Sequence, residues 1–346
     1  MNKRVLVAMS GGVDSSVTAA LLQKRGLEVE GITMKLTPGM CCDIGSAQAV
    51  CEHLGIPHRM LDVQAEFTHE VIHNFISEYH RGRTPNPCIR CNDSVKFQRL
   101  LQYALSNGFD ALATGHYARI EQDQSSYRFQ LKKGTDSGKD QSYFLYRLSQ
   151  EQMRRILFPL GKLRKTEVRL LAREIGLPEA ERPESQEVCF VPHNDYRAFL
   201  KEYAPEALIP GDMVLTDGKI VGRHEGIVLF TVGQRRKLGY AAGERLYVIR
   251  IEPDTHRVIL GKKSELLSRE TIVSNVHFNS FDECRTRMDV TVKIRYRSVS
   301  IPTAIMPFNR DKIRAVFNQP VPGVCPGQAA VFYEGDMVLG GGIIER

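Results

Sequence analysis

The 346-residue sequence lacks several patterns that would assign it to other classes of protein. It has no apolar run long enough to span a membrane and no secretory or transit segment before the first apolar strand, so we expect a cytoplasmic protein. It has neither the Walker phosphate loop nor the three-glycine dinucleotide fingerprint. No second C-x-x-C motif or paired histidine completes a zinc tetrad, and the eight cysteines should be mostly reduced in that compartment.

The composition is that of a soluble globular chain with two or three domains. Hydrophobic residues make up 42% and charged residues 25%, which is enough apolar material for several cores. The balance of 47 basic and 40 acidic residues gives a formal charge of +7. This charge permits a polyanionic partner without identifying one.

The first 204 residues alternate between strand and helix patterns, which predicts an α/β domain with a doubly wound parallel sheet. The predicted strands are residues 5–9, 29–34, 58–63 and 111–116, and the predicted helices are 17–23, 46–54, 67–79, 95–105 and 165–175. Residues 205–265 contain short strands separated by glycines and indicate a small linking domain. In residues 266–346, strand patterns at 288–296, 303–308, 313–318 and 329–339 predict a closed or nearly closed antiparallel β-barrel.

The most informative segment follows the first predicted strand and reads Ser-Gly-Gly-Val-Asp-Ser-Ser from Ser10 to Ser16. Gly11 and Gly12 permit a tight turn, and the following helix presents free backbone amides to it, which favours an anion. An ordinary capped turn is the alternative, but ligands collect at the carboxyl ends of strands in such sheets. We therefore predict a nucleotide site with Asp14 as a ligand for Mg²⁺. The string resembles the loop of the ATP pyrophosphatases (the PP-loop superfamily), which transfer the adenylyl group of ATP and release pyrophosphate.

A second candidate site is the proline-containing loop at residues 84–92, which ends in the C-x-x-C pair Cys88 and Cys91. Arg90 and the start of the following helix would favour thiolates, so we expect reactive cysteines. The pattern leaves a redox dithiol and part of an iron–sulfur site open, while the missing ligands disfavour zinc. Cys189 lies in an irregular segment, and its context alone favours a buried, inert thiol. The remaining cysteines are interpreted as structural or incidental: Cys41, Cys42, Cys51, Cys284 and Cys325.

Eight segments together resemble the tRNA-specific 2-thiouridylases, in order and over nearly the whole length. They are residues 10–16, 82–87, 91–92, 113–119, 139–145, 189–190, 231–235 and 326–330. That family uses ATP and a protein persulfide to replace the C2 oxygen of the wobble uridine with sulfur in the tRNAs for lysine, glutamate and glutamine. The resemblance implies two partners, tRNA and a persulfide-donating sulfur relay protein or cysteine desulfurase. We expect a monomer.

The resemblance also implies roles for individual residues. Cys91 and Cys189 are the expected catalytic pair, with the persulfide on Cys189. The expected ATP-binding residues are Ala8, Met9, Ser10, Gly11, Gly12, Val13, Asp14, Ser15, Met34 and Gly115. The expected substrate contacts are Asn86, Pro87 and Cys88 at the target base, and His116, Lys139, Asp140, Gln141, Arg295, Tyr296 and Gln328 along the tRNA. The target base must be unstacked for its C2 atom to be reached.

The reaction needs ATP because a uracil C2 carbonyl is a poor electrophile until its oxygen becomes a phosphate ester. Attack of that oxygen on the α phosphate releases pyrophosphate, and a sulfur nucleophile then expels AMP. Many members of the family have Asp where this chain has Cys88, and this departure opens a second route. Cys88, Cys91 and Cys189 offer three thiolates, the number that holds a four-iron cluster with one iron left to bind sulfide. The persulfide route is favoured, because Cys91 and Cys189 alone suffice for it.

Two other classes of protein compete with this interpretation. Amidating ligases with the same loop, the synthetases of asparagine, GMP and argininosuccinate, need an ammonia or amine route and no reactive thiols. A tRNA-binding or iron–sulfur carrier protein with a degenerate loop is disfavoured, because Ser10, Asp14 and Ser15 are all present. Pyrophosphate release distinguishes the two kinds of enzyme, because tRNA would stimulate it in a tRNA-thiolating enzyme and ammonia or glutamine would stimulate it in a ligase.

Overall fold

The computed structural model describes residues 3–37, 43–177, 180, 188–240, 245–309 and 311–345. Cys41 and Cys42 lie outside the described residues. The chain forms two compact units, each built from separate stretches of sequence. The first unit contains Met1–Val71, Cys88–Phe190 and Asp336–Leu339, and the second contains Ile72–Pro87, Val191–Gly335 and Gly340–Arg346.

The first unit is built on a five-stranded parallel sheet. Its strands are β1 (Arg4–Ala8), β2 (Glu28–Lys35), β3 (His58–Asp62), β4 (Ala111–Ala113) and β7 (Ile156–Leu157), in the order β3-β2-β1-β4-β7. An antiparallel hairpin, β5 (Ala118–Gln122) and β6 (Phe129–Lys133), lies between β4 and β7 in the sequence. Val5, Leu6 and Val7 are completely buried, as expected for the central strand of a parallel sheet covered on both faces.

Helices and short turns connect these strands. The helices are α1 (Val13–Lys24), α2 (Ile44–His53), α3 (Gln64–Phe67), α4 (His73–His80), α5 (Pro87–Arg90), α6 (Leu101–Ser106), α7 (Gln150–Arg155) and α8 (Lys165–Glu174). Two π-helical segments join neighbouring helices, Thr68–Ile72 between α3 and α4 and Cys91–Leu100 between α5 and α6. Since π-helical segments frequently occur at functional sites, the second one points to Cys91. Within the described ranges, no helix has the length and apolar character needed to cross a bilayer.

The second unit contains helix α9 (Tyr196–Tyr203), a four-stranded sheet and a barrel. The sheet is formed by β8 (Gly211–Leu215), β9 (Ile220–His224), β10 (Tyr247–Glu252) and β11 (Arg257–Gly261), in the order β10-β11-β8-β9. The barrel strands are β12 (Leu267–Phe278), β13 (Met288–Lys293), β14 (Ile301–Asn309), β15 (Lys312–Pro322), β16 (Ala329–Glu334) and β17 (Met337–Ile344). They follow the order β12-β15-β14-β13-β16-β17, and β17 pairs again with β12, so the antiparallel barrel is closed. Gly340 permits this closure, because a Cβ there would lie 2.2 Å from the His277 carbonyl oxygen.

The predicted fold class is confirmed, and the structure changes several of the predicted elements. The pattern at residues 329–339 is two strands, because Gly335, with φ +60°, and Asp336 turn the chain between β16 and β17. Hydrophobic alternation does not identify β12 or the hairpin β5–β6, whose strands mix polar and apolar residues. The strand predicted at 111–116 ends at Ala113, and the helix predicted at 95–105 belongs to a helical run that begins at Pro87.

Candidate functional site

The loop between β1 and α1 is a backbone site for an anion. Gly11 has φ +73°, and a Cβ there would lie 2.7 Å from the backbone oxygen of Asp43, so only glycine fits. Gly12 is the N-cap of the twelve-residue helix α1, and no side chain of the described residues caps its first amides. Because these amides and the helix dipole favour negative charge, the loop can hold a phosphate group.

Hydroxyl groups tighten the same loop. The Ser10 amide donates to Ser15 Oγ at 3.2 Å, and Ser15 Oγ donates to the Gly12 carbonyl oxygen at 2.9 Å. Ser15 is buried, whereas Ser10 is exposed with its Oγ 3.3 Å from Ser15 Oγ. The buried Ser15 therefore fixes the conformation of the loop, and Ser10 lies at its exposed surface.

The carboxyl end of β4 meets this loop. A Cβ on Gly115 would lie 2.9 Å from the Asp14 carbonyl carbon and 3.0 Å from the Ser15 nitrogen. Met34, near the end of β2 on the other side of β1, is buried. The structure therefore brings most of the expected ATP-binding residues to one edge of the sheet: Ala8, Met9, Ser10, Gly11, Gly12, Val13, Asp14, Ser15 and Gly115.

Asp14 forms an ion pair with Lys165, a residue that the sequence patterns do not single out. Lys165 Nζ donates to both carboxylate oxygens of Asp14, at 2.6 and 2.8 Å, and Tyr117 Oη donates to Asp14 Oδ1 at 2.7 Å. Lys165 is only 7% exposed. Lys165 is the first residue of α8, where a positive charge is unfavourable because of the helix dipole. A lysine at such a position is the sequence feature that could have indicated a role for it. The ion pair places a buried positive charge next to the anion loop.

The C-x-x-C pair lies within a helical run, whereas the sequence predicts the end of a loop. Cys88 is in α5, and Cys91 begins the π-helical segment Cys91–Leu100. Cys91 is buried, and Cys88 is exposed at its surface. Desolvation of the thiol nevertheless raises the pKa of Cys88; the charge of Lys96 partly offsets this effect, and Cys189 adds to it. The raised pKa of Cys88 runs against the thiolate that the sequence predicts there.

The charge of Arg90 is directed to an acidic residue rather than to Cys88. Its guanidinium forms an ion pair with Glu70, and its Nε donates to the Glu70 carbonyl oxygen at 3.2 Å. Lys96 supplies the charge that acts on Cys88. Lys96 follows Cys91 by five residues, which is the hydrogen-bonding interval of a π-helix. The π-helical geometry therefore brings Lys96 toward the face that carries Cys91.

Cys189 is exposed in a turn, so the buried, inert thiol favoured by its sequence context is wrong. The neighbouring Phe190 anchors this turn, because its ring packs edge-on against Phe67 with the ring centroids 5.7 Å apart. Among the residues that the structure describes, no three His, Cys, Asp or Glu side chains are arranged to hold a metal ion. Cys88, Cys91 and Cys189 are thus not gathered into a ligand set of this kind in the described residues.

The other described cysteines are buried and fit a structural interpretation. Desolvation raises the pKa of Cys51 to about 11 and also raises the pKa of Cys284 and of Cys325. All three are therefore protonated thiols at neutral pH, with low nucleophilicity.

His116 is a neutral ring between aromatic side chains. Its Nδ1 lies 2.6 Å from Thr114 Oγ1, and its ring packs against Phe97 and Phe158 with centroid distances of 5.7 Å each. Desolvation and the charge of Lys96 lower the pKa of His116 well below its ordinary value. The ring is therefore uncharged at neutral pH, and it can stack or form hydrogen bonds but cannot bind phosphate as a cation.

Asp140 and Gln141 use their side chains inside the protein. Asp140 is buried, and its Oδ1 accepts a hydrogen bond from the Ser142 amide at 3.1 Å. Gln141 Oε1 accepts from the Tyr117 amide at 2.9 Å. Lys139 is half-buried in the same turn. Asp140 and Gln141 therefore shape the turn that carries Lys139.

The expected tRNA contacts Arg295 and Tyr296 follow β13 in the second unit. Arg295 is exposed, and its Nη2 donates to the carbonyl oxygens of Pro322 and Gly323 at 3.2 and 3.3 Å. Arg295 and Arg297 line a cavity of about 520 Å³, and Tyr296 is half-buried between them in the sequence. This part of the barrel combines positive charge with a cavity.

Gln328 contacts the loop that precedes the cysteine-bearing helix. Its Nε2 donates to the carbonyl oxygens of Thr84 and Pro85, at 2.9 and 3.2 Å. Asn86 and Pro87 follow directly, with Asn86 half-buried and Pro87 buried. The amide nitrogen of Gln328, an expected tRNA contact, is therefore used within the second unit.

Comparison with known protein families divides the chain into three parts. Residues 3–193 match the family model described as tRNA methyl transferase HUP domain. Residues 197–262 match the tRNA methyl transferase PRC-barrel domain, and residues 268–344 match the aminomethyltransferase beta-barrel domain.

Curated relatives match over the full length. The chain is 47% identical to the tRNA-specific 2-thiouridylase MnmA of Carboxydothermus hydrogenoformans, over 99% of this chain and 98% of the relative. It is 46% identical to the protein of the same name from Acetivibrio thermocellus, over 99% of each chain. Among solved structures, a 4-thiouridine synthetase–RNA complex with bound ATP is 20% identical, covering 59% of this chain and 51% of that chain with a TM-score of 0.35.

Proposed function

The chain belongs to the family of tRNA-specific 2-thiouridylases, which are sulfurtransferases, and on that premise we propose that it carries out ATP-dependent 2-thiolation of the wobble uridine in the tRNAs for lysine, glutamate and glutamine. One observation carries the proposal: the first unit contains both the anion loop at residues 10–15 and the cysteines Cys88, Cys91 and Cys189. A nucleotide site and a set of thiols are what this reaction requires.

The anion loop, with Met34 and Gly115, supplies the site for ATP and then for pyrophosphate. The amides at the start of α1 and the hydroxyls of the loop bind phosphate oxygens, and Lys165 balances the charge that develops when the C2 oxygen attacks the α phosphate. Asp14 is the proposed Mg²⁺ ligand. Its oxygens already accept hydrogen bonds from Lys165 and Tyr117, so a cation would have to displace the ammonium group to reach the carboxylate.

The cysteines supply sulfur in three successive steps. Attack of the C2 oxygen on the α phosphorus breaks the bond to pyrophosphate and gives the adenylylated base. The terminal sulfur of a Cys189 persulfide adds at C2 and expels AMP, which leaves the base joined to Cys189 through a disulfide bond. The Cys91 thiolate attacks the Cys189 sulfur, releases 2-thiouridine and forms the Cys91–Cys189 disulfide. Two equivalents of an external thiol reduce this disulfide and are themselves oxidised to a disulfide. A persulfide donor, either a relay protein or a cysteine desulfurase, then transfers its outer sulfur to Cys189.

Iron analysis separates this route from cluster-borne sulfur transfer. We expect protein purified without oxygen to be colourless and free of iron and acid-labile sulfide, and still to thiolate tRNA. About four irons and four sulfides per chain, lost together with activity in Cys88→Ser, would overturn the persulfide route.

Each unit contributes its own proposed contacts to the tRNA. Arg295 supplies charge for phosphate oxygens, whereas the neutral His116 stacks or forms hydrogen bonds with a base. Asp140 and Gln141 act by shaping the turn of Lys139. The proposed residues are His116, Lys139, Asp140 and Gln141 in the first unit, Arg295 and Tyr296 in the second, and Asn86, Pro87 and Cys88 at the unstacked target base. Gln328, also expected at the tRNA, donates its amide nitrogen hydrogen bonds within the protein, to Thr84 and Pro85.

Pyrophosphate release tests the proposal against an amidating ligase. We expect unmodified tRNA to stimulate release from ATP, and ammonia or glutamine to have no effect. Cys91→Ser and Cys189→Ser should keep tRNA adenylylation and lose thiolation, because neither thiol takes part in the first step; Cys284→Ser is the matched control. Release that responds to ammonia or glutamine, or no turnover with any of these substrates, would refute the assignment.

A further inference from the structure

Three of the sequence motifs meet in the second unit. They are residues 82–87, 231–235 and 326–330. Their meeting point is Thr84. Its amide donates to the Pro326 carbonyl oxygen at 2.8 Å, and its Oγ1 donates to Thr231 Oγ1 at 3.2 Å. Its carbonyl oxygen accepts from Gln328 Nε2 at 2.9 Å. The backbone donor, the backbone acceptor and the hydroxyl of Thr84 are thus all engaged.

The approach of the two backbones is close enough to require glycine. Gly327 has φ +90°, and a Cβ there would lie 2.8 Å from the Thr84 nitrogen and 2.9 Å from the Thr84 oxygen. Any larger residue would push the segment at 326–328 away from Thr84. Gly327 therefore allows the close approach to Thr84, and Gln328 adds a side-chain hydrogen bond to the same residue.

The braced loop has little freedom left beyond Thr84. Pro85 and Pro87 each fix a backbone dihedral, and the residue before a proline is confined to extended conformations. Pro87 is also the first residue of α5, which leads along the chain to Cys91. The position of Asn86, between the two prolines, therefore depends in part on what holds Thr84 and Pro85.

The brace is continuous with the charged part of the barrel. Arg295 donates to the carbonyl oxygens of Pro322 and Gly323, which lie shortly before Cys325 in the chain. The Thr84 hydroxyl and the charge of Arg295 both act on the Cys325 thiol. The residue expected to bind RNA phosphate and the loop expected to contact the base are thus joined through one short segment, residues 322–328.

We propose that Gln328, together with Thr84 and Thr231, positions the loop 84–87, so that its part in the reaction is to hold Asn86 in place for the target base. This inference rests on the proposed function. Gln328 acts through the loop and is a positioning residue. Arg295 holds the other end of the segment 322–328. RNA bound at Arg295 could therefore change the position of the loop 84–87.

The first test needs neither ATP nor tRNA. Trypsin cleavage between Arg83 and Thr84 in the full-length protein measures how often the loop opens, because cleavage tracks the open population when opening and closing are fast. Gln328→Ala and Gln328→Glu both remove the two donated hydrogen bonds and should raise cleavage at this bond about tenfold. Thr231→Val should raise it less. Asn318→Ala, which removes an exposed amide on β15, is the matched control and should leave cleavage unchanged.

The second test separates positioning from direct RNA contact. Under the proposal, Gln328→Ala lowers kcat for tRNA-dependent pyrophosphate release about tenfold and leaves KM for tRNA unchanged. Unchanged cleavage together with a raised KM and a normal kcat would overturn the proposal and assign Gln328 to tRNA binding. If the parent protein does not thiolate tRNA, the proposed function fails, and the cleavage result still decides whether Gln328 holds the loop.

Discussion

Removing the Lys165 ammonium group should loosen the anion loop before any substrate binds. The change is Lys165→Met, which keeps an unbranched side chain and removes both hydrogen bonds to Asp14. Breaking a buried ion pair costs about 3–5 kcal/mol, because one charge is left without a partner. The side chain of Lys165 is 9% exposed but that of Asp14 is 35% exposed, so water can solvate part of the remaining carboxylate. We therefore expect a loss of about 2 kcal/mol in local stability, or roughly thirtyfold in an opening equilibrium.

Amide hydrogen exchange in peptides from α1 measures this loss locally. A global unfolding curve would mix the two units and blur the effect. The matched control is the double variant Asp14→Asn/Lys165→Met, in which no charge is left unpaired and most of the protection should return. Normal protection in Lys165→Met, or an equal loss in the double variant, would show that the ion pair does not hold the loop.

Three further changes test other parts of the site. Gly115→Ala should weaken ATP binding about tenfold in calorimetry, because the new Cβ would lie 2.9 Å from the Asp14 carbonyl carbon. The control is Gly45→Ala, whose Cβ would have no neighbouring atom closer than 3.7 Å. Equal ATP affinities of the two variants would contradict the argument. Lys96→Met should slow alkylation of Cys88 at pH 8, since loss of the positive charge raises the pKa of Cys88 further; faster labelling would count against this. The pKa of His116 is lowered in the folded chain, so the folded state loses stability once the unfolded chain binds a proton there. Protection of the β4 amides from hydrogen exchange should therefore be constant above pH 7 and fall as the pH drops below the ordinary value of 6.5. His116→Asn should make this fall smaller.

The anion loop could be predicted from the sequence because its chemistry is local. Gly11 and Gly12, the preceding apolar strand and the following helix are contiguous, and a strand–turn–helix of this kind presents amides to an anion wherever it occurs. The fold class is predictable for a similar reason, since strand and helix periods alternate along the chain. Both inferences need only neighbouring residues.

Lys165 and Arg90 could not be assigned in this way, because their partners are distant in sequence. Lys165 lies 151 residues from Asp14, and no local pattern links the two. Arg90 is adjacent to Cys91 in the sequence, yet its charge is taken by Glu70, 20 residues away. The sequence shows that a charged side chain is present, and only the three-dimensional structure shows which group it pairs with.

The division of Ile72–Pro87 from the rest of the N-terminal half affects how the protein can be cut into fragments. Within the second unit, Tyr79 stacks on Tyr196 with ring centroids 5.0 Å apart, and Phe75 packs against Phe199. A fragment truncated before α9 would expose two large aromatic side chains that are now buried. We expect such a fragment to aggregate when it is expressed alone, so the N-terminal half is not a unit that can be transplanted or studied by itself.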